Sequence, residues 1–218
     1  MSFVKKTIKW MLLILTLAVY VGGTAILISD RDPALAKYAV WTEQALSVYR
    51  ADPDSFFIYQ IKVNPNYTSD GNFFCSNVRY SPTVHQLTLT VRFNKSTLKH
   101  CMQDFDLSVE PGWDCFVYTL KGADGTVYGD SHYIHFIKGR HHYVRIVFDG
   151  VDLESQNELT LCAQYRGSKT DDPYGTILLY QEGTVMSDYH LKKKEIPDAA
   201  QNCTPDMFTP DHDIQGDS

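Results

Sequence analysis

Four histidines, His132, His135, His141 and His142, fall within eleven residues on either side of Gly139-Arg140. Imidazole is the commonest metal ligand and carries protons near neutral pH, so the cluster is a candidate for metal or acid–base chemistry. A two-residue turn at Gly139-Arg140 would pair Lys138 with His141, Ile137 with His142 and His135 with Val144. His135 and His142 then sit diagonally on one face, about 7–8 Å apart at the backbone, within reach of a shared metal. Two imidazoles do not complete a site, and a further ligand such as His85 or an aspartate would be needed. Aromatic cross-strand packing with polar ring edges at the surface is the simpler use of the same residues, and it is the reading adopted. No catalytic residue, metal or other cofactor is assigned; His132, His135, His141 and His142 stand as the metal candidates.

Other chemical signatures are weaker. Gly129-Asp130-Ser131-His132 has the letters of a lipase-like Gly-Asp-Ser block, but that nucleophile needs a strand-to-helix turn and this block lies between β segments, where a turn is expected. Gly-x-Ser-x-Gly, His-Glu-x-x-His and a Gly-rich phosphate loop do not occur in the sequence. Asp149, Asp152 and Glu154 lack the spacing of a calcium loop and read as a solvated turn. Fourteen tyrosines suit both sheet packing and an exposed binding surface.

The stretch that must position all of this runs from Trp10 to Ile28 and contains no charged residue. At about 1.5 Å per helical residue it approaches the roughly 30 Å of a bilayer core. Lys5, Lys6 and Lys9 precede it, so the positive-inside rule keeps residues 1–9 in the cytoplasm and sends the rest outside. A cleaved signal peptide with Gly23-Thr24-Ala25 as its site is the alternative, but Ile26-Leu27-Ile28 extends the apolar run past that site. The expectation is therefore a transmembrane signal-anchor over residues 10–29 in a single-pass membrane protein. A juxtamembrane helix over 30–52 follows, then an extracytoplasmic domain over 53–197 and a disordered acidic tail over 198–218.

The net charge of −6 gives no basic footprint, which argues against a nucleic-acid partner. Lys192-Lys193-Lys194 beside Glu195 reads as a solvated turn. All five cysteines (Cys75, Cys101, Cys115, Cys162, Cys203) fall on the exported side, where disulfides are permitted, and the odd count leaves at least one unpaired within a monomer. Asn66, Asn94 and Asn202 stand in glycosylation sequons.

Pro33 at a first helical turn and apolar residues at three- and four-residue spacing predict the helix up to Arg50, ended by Asp52-Pro53. From Ser55 onward the texture is that of antiparallel strands. Expected strands are 56–63, 73–80, 84–93, a weaker one at 104–109, 115–120 with 127–128, 132–137, 142–148, 158–165, and a last pair, 175–181 and 185–191. Within 84–93, Leu87, Leu89, Val91 and Phe93 face a core and Gln86, Thr88, Thr90 and Arg92 face away. Helices between strands are not expected. The fold class is mainly β, an antiparallel β-sandwich.

The succession HQLTLTVRFNKST, FVYTLKGADGTVY, HYVRIVFDGVDL and NELTLCAQY, over about residues 84–165, resembles membrane-anchored extracytoplasmic immunoglobulin-like domains of Gram-positive bacterial proteins of unassigned function. The resemblance implies a binding or structural role at the envelope and no catalytic residues. Carried onto this chain, the immunoglobulin pattern pairs Cys101 with Cys162 over Trp113. Thr160 stands where the tyrosine corner would put Tyr, and other pairings stay open. The expected function is a non-catalytic module that binds a protein or envelope component or serves as an accessory subunit; the alternative is a metal-dependent or hydrolytic exported enzyme built on the His-rich hairpin.

Overall fold

Leu87, Leu89, Val91 and Phe93 recur at two-residue spacing and are at most 1 % exposed, so the strand that carries them lays one face on a core. The structure is a computed structural model that describes residues 10–21, 34–168, 172–192 and 195–196, with the side chains of 34, 35 and 130–132 outside the description. Outside the described residues lie 22–29 of the expected span, 30–33 of the expected juxtamembrane helix, the acidic tail with Cys203 and Asn202, and the loop at 169–171.

Nine strands are described: β1 (Tyr59–Ile61), β2 (Phe73–Ser81), β3 (Gln86–Asn94), β4 (Phe116–Gly122), β5 (Val127–Lys138), β6 (His141–Phe148), β7 (Glu158–Tyr165), β8 (Gly175–Gln181) and β9 (Met186–Asp188). Their order is β8-β7-β4-β5-β6-β3-β2-β1-β9, antiparallel throughout. β5 joins two sheets: its first residues, Val127 to Gly129, pair with β4, and the remainder pairs with β6 after a register shift between Asp130 and His132.

Phe73 on β2 meets Phe116 and Tyr118 on β4 edge-on at 4.9 and 6.5 Å, and Phe93 meets Phe116 at 5.5 Å, closing the two sheets on each other. Gly175 on β8 is required by this closure, because a Cβ there would lie 3.0 Å from the Phe73 ring. The architecture is an antiparallel β-sandwich with one core between the sheets.

Three helical stretches accompany the strands: α1 (residues 10–21), α2 (Glu43–Ala51) and α3 (Lys95–Asp104). Among the described residues no helix is long and apolar enough to cross a membrane. α1 is exposed along its whole length, including Trp10, Leu12, Leu13, Ile14, Leu15, Leu17 and Val19.

The single helix expected up to Arg50 is broken. Only Ala34–Lys37 forms a short 3₁₀ turn; the chain then runs extended to Thr42, which caps α2 by accepting from the Ala45 amide. The reason is tertiary. The carbonyls of Lys37 and Ala39 accept from Arg79 and Arg145 at 2.9 and 2.8 Å, and the Ala39 amide donates to Glu195 at 2.8 Å. Hydrogen bonds across the sheet replace those a helix would have made.

This strap also changes the status of the outward face of β3. Gln86, Thr88 and Thr90, expected to face away from the core, are buried at 3, 1 and 2 % exposure. Thr90 donates to the Ala36 carbonyl at 3.2 Å, and Asn77, left-handed at φ 54° within the β2 bulge, donates to the same oxygen at 2.7 Å. A second small core, Trp41, Ala45, Leu46, Phe56 and Ile58, packs between α2 and the sheet, with Tyr189 and Leu191 against it.

Further expectations are corrected. Residues 95–104 form α3, a helix between strands, with Thr97, Leu98 and Cys101 on its buried face; the strand expected at 104–109 is absent. The strands around Glu182-Gly183 do not pair with each other: β9 pairs with β1, at the opposite end of the strand order from β8. The expected strand at 56–63 shortens to β1 and that at 185–191 to β9.

The strap is tied by a buried ion pair, Arg79 to Glu195 at 3.0 Å, with side chains 3 % and 0 % exposed. Removing one partner of such a pair costs about 3–5 kcal/mol. Glu195→Ala should therefore lower the urea-unfolding free energy by about that amount, and an unchanged midpoint would show that the pair does not hold the strap.

Candidate functional site

At the α3 end of the sandwich, rings from four elements form a row. Trp113, on a 3₁₀ turn (Trp113–Cys115), stacks on His135 of β5 at 4.0 Å and 4°; His135 stacks on His142 of β6 at 5.3 Å and 20°; His142 stacks on Phe93 of β3 at 5.0 Å and 5°. The placement follows from register. Lys138 faces His141, Ile137 faces His142 and His135 faces Val144, as the two-residue turn requires, and Phe93 faces His142 from β3. Gly139 supplies the left-handed turn residue at φ 60°.

The two imidazoles are turned nitrogen to nitrogen, His135 Nε2 to His142 Nδ1 at 3.1 Å, so one ring donates and the other accepts. His142 Nε2 is buried and has no hydrogen-bond partner. Burial, and then the neighbouring His142, hold His135 down to about 4 against the pull of Asp114. Burial and the nearby Lys95 lower His142, against Glu110. Both rings are thus neutral at physiological pH, and the arrangement packs as an aromatic stack with one internal hydrogen bond.

The other sequence candidates are dispersed. His141 lies on the opposite face of β6, 6.3 Å from the Tyr143 ring. The backbone of His132 pairs with Val147, and its side chain lies outside the description. His85 is exposed in the turn before β3, at the far end of that strand from Phe93. Among the described residues no group of three or more His, Cys, Asp or Glu comes together to hold a metal. Gly129 to His132, expected as a turn, lies within β5.

The expected pairing of Cys101 with Cys162 is not formed. Cys101 sits in the core cluster with Leu159, Leu161 and Ala163, whereas Cys162 alternates to the opposite face of β7, near enough to Lys121 for that charge to favour its thiolate against burial. Cys101 instead shares the core cluster with Cys115; burial raises both thiols, Cys115 to about 12, and each shifts the titration of the other. Trp113 is only half-buried, on a turn beside the sandwich rather than under a disulfide.

Sequence reasoning located the His135–His142 pair but missed Trp113 and Phe93 as its outer rings and Glu195 as the tie of the strap. A Trp-x-Cys turn and a strand-end Phe carry no local signal for stacking on a distant hairpin. No known protein family, curated protein or solved structure matches the chain.

His135 fixes a sign for acid stability. The unfolded ring protonates near 6.5 and the folded ring only near 4, so the unfolded state binds more protons between those values. Stability should be full above pH 6.5 and fall as pH drops toward 4. Urea midpoints across that range should show the slope in the wild type and a flatter one in His135→Phe; equal slopes would remove His135 as the cause.

Proposed function

We propose that the chain is a single-pass membrane protein whose β-sandwich stands outside the cytoplasm and binds a protein or envelope component, without chemistry of its own. The observation that carries this is the N-terminal helix. α1 is apolar all round and no part of the sandwich covers it among the described residues, as befits a helix whose solvent is lipid. In sequence it continues uncharged to Ile28, with the lysines on its N-terminal side. The strap at 34–42 then begins within a few residues, so the sandwich would stand close to the bilayer.

The binding margin in this reading is β5. Beyond Gly129 it leaves β4 and pairs with β6, so from His132 to Ile137 one side of its backbone has no strand partner among the described residues. Tyr133, Ile134 and Ile137 on it are 44, 40 and 54 % exposed. An unpaired strand edge with apolar side chains offers main-chain hydrogen bonds and pockets to an extended segment of a partner protein. The resemblance of residues 84–165 to envelope immunoglobulin-like domains supports the same role.

Protease added outside intact cells should digest the sandwich and spare residues 1–9; full protection of the sandwich would overturn the orientation. A photo-crosslinking residue at Ile137 should give a discrete adduct in those cells and one at Val109 should not, and identical patterns from both would remove β5 as the binding margin.

A further inference from the structure

We propose that Cys101 and Cys115 form a disulfide that staples α3 to the turn entering β4. Both residues lie as free thiols in the main core cluster, 0 and 8 % exposed, and each shifts the titration of the other. The two backbones are fixed independently. Cys101 is on the buried face of α3 one turn after Thr97, and its carbonyl accepts from Phe105 at 3.1 Å. Cys115 closes the 3₁₀ turn, accepting from the Arg166 amide at 2.7 Å and donating to Gly112 at 3.2 Å. The Phe105 and Tyr165 rings, 4.3 Å apart and tilted by 31°, join the two backbones on the same core, since Phe105 donates to Cys101 and the residue after Tyr165 to Cys115, so the fold and not a side-chain search sets the approach of the two cysteines.

Cys75 shares this core cluster but is carried by β2, where it faces Val91 across the β2–β3 pair, and its thiol is raised by burial alone. Cys162 projects from the other face of β7. The bridge would close only the chain from 101 to 115.

Oxidation joins the two sulfurs, releases two protons and passes two electrons to a disulfide oxidant, such as oxidised glutathione or an exported dithiol oxidase, which leaves as two thiols. Attack on that oxidant needs a thiolate. In the folded protein burial raises both thiols, Cys115 to about 12 with the Cys101 contact adding to it. The bond consequently forms while the chain is still folding, and once formed it is shielded from reductant. The proposal takes from the membrane reading only its oxidising compartment; the pairing itself stands on geometry.

The test is made on the full-length chain in detergent, so it does not depend on where the protein resides. Refolded from denaturant in a glutathione redox buffer, the chain is blocked with one thiol reagent, reduced, labelled with a second and mapped by mass. The second label should appear on Cys101 and Cys115, joined in one peptide before reduction. Cys75→Ala and Cys162→Ser should leave that peptide intact. Breaking the bridge should lower Tm by roughly 6–12 °C for a closed loop of this length in a domain of this size. Cys101→Ser, Cys115→Ser and the double variant should lose the same amount, because the pair acts as one unit. Both thiols free in excess oxidised glutathione, or Cys101 joined to Cys162 or Cys203, would overturn the pairing. A bridge formed here, with protection from external protease in cells, would leave the pairing standing and remove only the membrane orientation.

Discussion

A single buried carboxylate, Glu195, holds together parts of the chain more than a hundred residues apart. It accepts from Arg79 at 3.0 Å, from the Ala39 amide at 2.8 Å, from the Tyr189 hydroxyl at 2.7 Å and from the Lys192 amide at 2.9 Å. The guanidinium of Arg79 also lies 4.0 Å over the Tyr189 ring. Two arginines, Arg79 buried and Arg145 half-buried, lie beside this one acid. Burial, with Arg79 nearby, lowers Arg145 to about 10 against the pull of Glu195. A continuous helix would consume these carbonyls, whereas the strap, a 3₁₀ turn that stops at Lys37 and runs on extended, offers those of Ala36, Lys37 and Ala39 to Asn77, Thr90 and the arginines.

The sandwich thus has two unlike faces on the sheet built around β3. The inner face is apolar and closes on β4, β7 and β8; the outer face is polar and closes on the strap and on the chain around Tyr189 to Glu195. β5 complements this arrangement. It turns the corner between the sheets, pairing with β4 over Val127 to Gly129 and with β6 from Asp130 onward.

Patterns with a period of two were legible in the sequence. β2, β3, β6, β7 and β8, the Asp124-Gly125 turn with Gly125 at φ 87°, and the register of the His135–His142 hairpin all follow from local alternation and turn chemistry. What was not legible depended on distant partners. Residues 37–42 have helical spacing, but the Lys37 and Ala39 carbonyls serve as acceptors for Arg79 and Arg145. Thr88 and Thr90 read as solvent-facing until a strap covers them. Glu195 after three lysines looked like part of an exposed turn, although it is one of the most buried charges in the described chain. α3 was hidden because Thr97, Leu98 and Cys101 make too short an apolar face among Lys95, Lys99 and His100. In the candidate site, the histidine contact could be derived from register, but the flanking Phe93 ring depends on the pairing of β3 with the distant β6, and the Trp113 ring on the turn before β4 reaching β5.

The claim that the strap is part of the folded sheet is most directly tested by native-state hydrogen exchange at the Ala39 amide, which donates to Glu195. If the strap is bound as described, this amide exchanges only with the global opening that releases β3 and β6. Exchange near the rate of an unstructured peptide, with β3 and β6 still protected, would contradict the account.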